Sequence, residues 1–348
     1  MILADELYNI ITKRVNGPVA KFIRGFLFLL SLVYGVVVVV LSGFNKARAF
    51  RFKAKVISVG NITLGGTGKT TFVEYLAGKL DSQGKKVAIL SRGYKRNLRR
   101  QGPECLGDEP AMLEKKLSFA RIMVDGDRVR SGLKAIENYA SDTLILDDGM
   151  QQWRIFKDLE IVTIDVTNPF GNHRLLPAGF LREPLSALKR ANVFILTQCR
   201  PGLDIGDLIY DLKRINPDAL IVESEHEPQG FSRIDNPAEL LSLNLYKDKK
   251  ALVFSGIGNP EGFEETIRSL GIKIEHTVRL PDHHDYSHED VYNIMNEARR
   301  KDLDLVITTE KDAVKIGCGF NILVLNIKLK IVKNEAEFDR RLFELYSL

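Results

Sequence analysis

Lys69 and Thr70 close a stretch suited to holding a phosphate chain, Val59-Gly60-Asn61-Ile62-Thr63-Leu64-Gly65-Gly66-Thr67-Gly68-Lys69-Thr70-Thr71. Glycines at 65, 66 and 68 permit left-handed backbone, which turns successive N–H groups inward, and the N-terminus of a following helix adds its partial positive charge. A lysine at 69 reaches the β and γ phosphates of a nucleotide, and the Thr70 hydroxyl ligates Mg²⁺. The spacing departs from the strict G-x-x-x-x-G-K-[ST] rule, since Thr63 stands five residues before Gly68. A glycine-rich turn with a surface lysine is the plainer alternative. The conjunction of a β-branched run, the glycines, Gly-Lys-Thr and a helical pattern over 72–80 favours the phosphate loop, with Gly65, Gly66, Thr67, Gly68, Lys69, Thr70 and Thr71 as its contacts.

Other residues are placed where chemistry is done. Residues 143–146 form an apolar run that ends in Asp147-Asp148-Gly149. A strand ending in carboxylates is how such proteins meet Mg²⁺, directly or through water. The strand at 87–90 ends in Ser91-Arg92-Gly93-Tyr94, followed by Lys95, Arg96, Arg99 and Arg100. Strand C-termini are where α/β sheets bind ligands, so this basic loop reads as an anion contact or as solvated surface. Gly107-Asp108-Glu109-Pro110 opens a helix, where Asp108 on pattern alone is an N-cap. His283 precedes Ser287-His288-Glu289-Asp290, a capping-box pattern, and on pattern alone shapes a helix entrance. The long segment 167–184 reads as a functional loop. Gly256-x-Gly258-x-x-x-Gly262 misses dinucleotide spacing by one residue and has no convincing acidic partner, which argues against a nicotinamide site.

The 348 residues suffice for two α/β domains, each with its own core. A hydrophobic share of 45% with 27% charged residues is that of a globular protein rather than a disordered one. The net charge of +5 suits an anionic partner such as a phosphorylated lipid, and the lack of a long basic block argues against nucleic acid. Cys105, Cys199 and Cys318 have no metal spacing and read as reduced thiols. Residues 25–44 are twenty without a charge, a helix of roughly 30 Å that matches a bilayer core. Lys21, Arg24, Lys46, Arg48, Arg51, Lys53 and Lys55 flank both ends, so the positive-inside rule only leans, and the nucleotide site places the body on the cytoplasmic side. A buried core helix and an interfacial helix are the alternatives.

The predicted architecture is α/β: an N-terminal membrane-anchoring segment (1–45), a P-loop domain with a mostly parallel sheet (46–225), a polar linker with a short helix (226–250), a second, smaller α/β domain (251–330) and a helical tail (331–348). Strands are expected at 161–165, 193–197, 219–222, 251–255, 273–277, 305–309 and 322–325.

Gly60-Asn61-x-Thr63-x-Gly65-Gly66-Thr67-Gly68-Lys69-Thr70, Ser91-Arg92-Gly93-Tyr94, Gly107-Asp108-Glu109-Pro110, Asp147-Asp148-Gly149-Met150-Gln151, Leu176-Pro177-Ala178-Gly179-x-Leu181-Arg182-Glu183-Pro184, Asp282-His283 and Thr309-Glu310-Lys311-Asp312 together resemble the tetraacyldisaccharide 4'-kinase family of lipid A synthesis. The stretch from Leu176 to Pro184 is the most specific part. Met150, Gln152 and Phe180 depart from the phenylalanine, histidine and proline usual there. The resemblance implies ATP- and Mg²⁺-dependent phosphorylation of the 4'-hydroxyl of a tetraacylated glucosamine disaccharide 1-phosphate, a lipid A precursor, at the cytoplasmic face of the inner membrane. By matched position it implies Asp108 as catalytic base with His283 as its partner, Lys69 at the phosphates, and Thr70, Asp147, Asp148 and Glu183 at the metal. Arg92, Tyr94 and Arg182 are the implied substrate contacts. Thr309 to Asp312 receive no role.

Two other classes compete. A membrane-associated ATPase of the partitioning type, without kinase activity, carries a lysine where this chain has Leu64. A regulatory GTPase needs Asn-Lys-x-Asp, and Glu310-Lys311-Asp312 puts glutamate in the lysine position.

Overall fold

The computed structural model describes residues 10–11, 15–93, 107–200 and 202–347, and of Asp108 the backbone only. The chain divides into two compact units, Met1–Lys69 with Gly132–Glu225 and Ile331–Leu348, and Thr70–Ser131 with His226–Lys330. This division interleaves segments that chain order alone would place in successive domains.

In the first unit, α1 (Pro18–Ala47) is a 30-residue helix, longer than its uncharged stretch. Ala20, Leu27, Ser31, Gly35, Val38 and Ser42 recur at helical spacing and form its buried side. Gly35 lies against the Leu175 side chain, whose Cδ1 would have to shift for a Cβ 2.7 Å away. Tyr34 donates from its hydroxyl to the Arg182 carbonyl at 2.9 Å, and the Arg174 guanidinium lies over the Phe28 ring. Only 22% of the most apolar window is buried, so this is not a core helix.

The strands β1 (Lys55–Gly60), β4 (Thr143–Asp147), β5 (Leu159–Asp165), β6 (Val193–Thr197) and the start of β7 (Leu220–Arg233) pair in parallel in the order β4-β1-β5-β6-β7. Strands covered on both faces read as continuous apolar runs, which is why these were visible in the sequence. The register sets Val59 beside Asp147 and Gly60 beside Val162, so the phosphate loop and the acidic turn leave the same edge of the sheet. Ile62, Met150, Phe170, Leu181, Phe194 and Leu212 are part of the core beneath.

In the second unit, helix α2 (Lys69–Asp81) runs on from the phosphate loop, with Phe72, Val73, Leu76, Ala77 and Leu80 buried. Strands β2 (Val87–Ser91) and β3 (Arg121–Val124) pair in parallel, and helix α3 (Asp108–Lys116) precedes β3. A second parallel set has the order β10-β9-β11-β12, from β9 (Lys250–Ser255), β10 (Lys273–Arg279), β11 (Leu305–Thr309) and β12 (Leu323–Lys333).

The segment expected as a linker with a short helix holds a hairpin followed by a short 3-10 helix. β7 continues to Arg233 and pairs antiparallel with β8 (Asn236–Leu241) before a 3-10 turn at Leu243–Tyr246. A polar strand with Pro228 and Gly230 gives no apolar run to read, although Phe231 and Ser232 within it are buried. Residues 70–131 join the second unit through ion pairs that chain order does not reveal. Lys116 on α3 pairs with Glu74 on α2 at 2.9 Å and with Glu310 at 2.8 Å. Thr71 Oγ1 lies 3.2 Å from His226 Nε2.

Candidate active site

Gly65 and Gly68 take left-handed φ values of 110° and 73°, the backbone that the phosphate-loop reading requires. The space where a Gly65 Cβ would point is open, so the loop has room for phosphate oxygens against its backbone. Asn61 is buried and holds the loop from within, donating from Nδ2 to the Thr63 carbonyl at 2.8 Å. Thr67 is fixed by Thr163 Oγ1 at 2.8 Å and by Thr197, whose hydroxyl donates to the Thr67 carbonyl at 3.1 Å. Gly66 lies in the loop, and Lys69, Thr70 and Thr71 form the first turn of α2, whose N-terminus supplies further N–H donors.

The acidic turn is pressed onto the same edge. A Cβ on Gly60 would stand 2.5 Å from Met150 N, and the Gly149 N–H donates to the Val59 carbonyl at 2.9 Å. Met150 is the buried filler of this contact. Asp147 ends β4 and is buried, whereas Asp148 has a left-handed φ of 53° and a side chain 41% exposed. Arg182 NH1 donates to both Asp148 oxygens at 2.8 and 2.9 Å and to Gln151 Oε1 at 3.2 Å. Lys69 Nζ donates to Asn61 Oδ1 at 3.1 Å and lies 3.7 Å from Asp148 Oδ1. Lys69, Asp148 and Arg182 thus form one charged cluster beside the loop.

Glu183 lies in a buried ion-pair set. It is 1% exposed, and its two oxygens accept from Arg190 NH1 and NH2, each at 2.9 Å. Gln151 Nε2 and Trp153 Nε1 also donate to it, at 3.2 and 3.4 Å. Lys157 and Glu160, 2.6 Å apart, complete a balanced buried set of two cations and two anions. Burial pushes the Lys157 ammonium down, and Glu160 acts against that. Among the described residues no three acidic, histidine or cysteine side chains gather closely enough to hold a metal by themselves, so the structure does not assemble Asp147, Asp148 and Glu183 as one set. Mg²⁺ characteristically takes one or two carboxylates together with phosphates and water, and the Asp147-Asp148 pair at the end of β4 supplies that number.

The Glu183–Arg190 pair carries a stability prediction. Arg190→Met leaves a buried carboxylate without its bidentate partner and should cost about 3–5 kcal/mol, read as a lower urea midpoint at unchanged slope. An unchanged midpoint would show that the pair contributes nothing.

A second cluster lies in the second unit. Helix α3 begins at Asp108, and Glu109 Oε1 is 3.4 Å from Lys311 Nζ. The same Nζ is 3.2 Å from Asp282 Oδ1 and 3.3 Å from His283 Nε2. His283 has a left-handed φ of 60°, and its N–H donates to the Gly256 carbonyl at 3.1 Å. The stretches that hold Asp108 and His283 therefore meet at one lysine. The capping box at Ser287 and Asp290 is formed, as its pattern predicts, and starts helix α7 (His288–Arg300) after α4 (Arg128–Tyr139), α5 (Gly206–Ile215) and α6 (Pro260–Ser269). Arg92 is exposed just past the end of β2, and Tyr94 lies outside the described residues. Asn61, Gln151, Arg190 and Lys311 were not singled out from the sequence. Each sits inside or beside a motif, but its role shows only in the folded contacts: Thr63 and Lys69 for Asn61, Arg182 and Glu183 for Gln151, Glu183 for Arg190, and Glu109 and Asp282 for Lys311.

The family model for tetraacyldisaccharide-1-P 4'-kinase matches residues 23–346. The chain belongs to the tetraacyldisaccharide 4'-kinase family. It is accordingly a kinase with the P-loop α/β architecture expected from its motifs. A tetraacyldisaccharide 4'-kinase of Elusimicrobium minutum is 38% identical over 91% of this chain and 90% of its own. One from Syntrophus aciditrophicus is 34% identical over 96% and 95%. Among solved structures, LpxK from Aquifex aeolicus in complex with ATP superposes with a TM-score of 0.72 at 29% identity, covering 93% of this chain and all of that one. Family membership decides against the partitioning ATPase and the regulatory GTPase.

Proposed function

We propose that the protein transfers the γ-phosphate of ATP to the 4'-hydroxyl of a tetraacylated glucosamine disaccharide 1-phosphate, acting on the cytoplasmic face of the inner membrane. The observation that carries this reading is the Lys69–Asp148–Arg182 cluster beside the glycine loop, in a chain that matches the kinase family over nearly its full length. The relative from Aquifex aeolicus was crystallised with ATP, which supports ATP as the donor. Lys69 lies against the β and γ phosphates and neutralises charge as the phosphoryl group departs. The N–H groups of Gly65 to Thr71 orient the phosphates, and Arg182 and Arg92 offer guanidinium groups to the anionic acceptor. Thr70, Asp147 and Asp148 would hold Mg²⁺, which would supply further neutralisation of the phosphate charge. Glu183 acts by fixing Arg190 and the neighbouring Arg182 backbone; a direct metal contact would require its pair with Arg190 to open. Asp108 accepts the proton of the attacking hydroxyl and His283 supports it. Tyr94 completes the acceptor contacts.

The membrane part of the reading rests on α1. Phe22, Val33, Val36 and Val40 are between 62% and 76% exposed, opposite the side that packs on Leu175 and the Arg182 loop. An exposed apolar helix face in a member of a family named for an acylated disaccharide points to a lipid surface. Val36→Glu with Val40→Glu leaves the packed side untouched. Each forgoes about 1.5 kcal/mol of apolar burial, so binding to anionic phospholipid vesicles should fall about 100-fold. Phosphorylation of acceptor in those vesicles should fall with it, while ATP binding stays at the wild-type level. Full vesicle binding by the double variant would overturn the membrane reading of α1.

A further inference from the structure

The acidic turn Asp147-Asp148-Gly149-Met150 is tied down at successive residues, and one tie comes from charged side chains outside the stretches that carry the family resemblance. The Gly149 N–H donates to the Val59 carbonyl at 2.9 Å, and the Gln152 N–H closes the turn on the Gly149 carbonyl at 2.9 Å. The Met150 carbonyl accepts from Lys157 Nζ at 3.0 Å and from Arg190 NH2 at 3.4 Å. Two cations largely withdrawn from water thus meet on one neutral carbonyl.

Both cations are themselves pinned. The Lys157 side chain is 8% exposed, and its ammonium, which has three donors, gives one to Glu160 Oε1 at 2.6 Å and another to Met150. Glu160 is a residue of β5, set in register beside Ser58 of β1, and its own N–H donates to Asn192 Oδ1 at 2.7 Å. The ammonium is therefore placed by the sheet rather than by a loop. Arg190 is held by both oxygens of Glu183, and its Nε lies 3.6 Å from Glu160 Oε2. Neutralising Glu160 would need only the ion pair. The bond from Lys157 to Met150 is additional to it, and it reaches the turn that carries the two aspartates.

That turn needs holding. Asp148 has a φ of 53°, a left-handed backbone that is unfavourable for a residue with a side chain and persists where its surroundings enforce it. The Met150 carbonyl, two residues on, is one place where they do so.

We propose that Lys157 is a positioning residue for the kinase reaction: pinned by Glu160, its ammonium holds the Met150 carbonyl and so keeps the Asp147 and Asp148 carboxylates in the arrangement that takes a divalent cation. The proposal rests on the reading of this aspartate pair as the Mg²⁺ carboxylates. Arg190 shares the carbonyl at longer range and is already committed to Glu183, so Lys157 carries the larger part of the restraint. Removing a group that orients a metal ligand without touching the metal typically lowers metal affinity or activity about 10- to 100-fold.

The test reads metal binding apart from turnover. Mn²⁺ binding to the full-length protein loaded with a non-hydrolysable ATP analogue is followed by electron paramagnetic resonance. K157M/E160Q removes the donor and keeps the buried set neutral, so that no carboxylate is left as an unpaired charge. It should raise the Mn²⁺ dissociation constant about tenfold and the half-activating Mg²⁺ concentration by a similar factor, with most of the wild-type rate recovered at saturating Mg²⁺. Affinity for the analogue without metal should stay within about twofold, which general damage to the fold would not allow. Wild-type Mn²⁺ affinity in K157M/E160Q overturns the role of Lys157. Asp148→Asn separates that failure from failure of the reading beneath it. Weakened Mn²⁺ binding in Asp148→Asn beside an unaltered K157M/E160Q removes the Lys157 role alone, whereas full Mn²⁺ binding in Asp148→Asn removes the turn as the metal site and the proposal with it. Should K157M/E160Q not fold, K157M/E160M, with unbranched apolar chains in place of the pair, is measured instead. Failure of both to fold would assign the pair to folding alone and overturn the proposal.

Discussion

Replacing Lys69 with alanine should lower phosphoryl transfer by a factor on the order of 10³, because its ammonium is held beside the glycine loop by Asn61 Oδ1 at 3.1 Å and preorganised charge at a departing phosphoryl group is worth about 3–4 kcal/mol. Arg182 cannot take over, since its NH1 is committed to both oxygens of Asp148. The loop itself should survive, as Asn61 keeps its contact with the Thr63 carbonyl and Thr67 keeps Thr163. Single-turnover transfer at saturating ATP reads the effect on the chemical step, and an unchanged unfolding midpoint shows that the fold is retained. A variant within about tenfold of wild type would remove the loop as the catalytic centre.

Asp108→Ala should lower kcat by about 10²–10⁴, the usual contribution of a positioned general base, while KM for ATP changes little. The carboxylate acts on the acceptor hydroxyl, so the nucleotide has no reason to bind differently. His283→Ala should give a smaller loss, and the double variant should be no slower than Asp108→Ala alone, because the histidine acts through the carboxylate. Losses that multiply in the double variant would mean that the two residues work independently, and the pairing would fall.

Much of the frame was legible in the sequence for a physical reason. Parallel strands buried on both faces need continuous apolar runs, so β1, β4, β5, β6 and β9 could be placed to within a residue or two. The glycine loop was legible because only glycine readily takes the left-handed angles found at 65 and 68. Helix α1 could be seen as apolar, but which side would pack could not, since its buried side differs from its exposed side by small size rather than polarity. β7 was missed past Val222 because its residues are polar and its hydrogen bonds, not its side chains, make it a strand. The interleaving of the two units rests on pairs such as Lys116–Glu310, residues nearly 200 positions apart with no shared pattern. Glu183 shows the same limit. Its place in the Arg182-Glu183-Pro184 motif suggested a metal ligand, while its environment depends on Arg190, which stands outside the motif.

The most direct measurement is transfer of labelled γ-phosphate from ATP to a purified tetraacylated glucosamine disaccharide 1-phosphate, followed by ³¹P NMR of the lipid product. The account predicts one new phosphate monoester at the 4' position for each ADP formed, lost in Lys69→Ala. Label released as inorganic phosphate at the same rate with and without the acceptor, or a phosphate carried on any other hydroxyl, would contradict it.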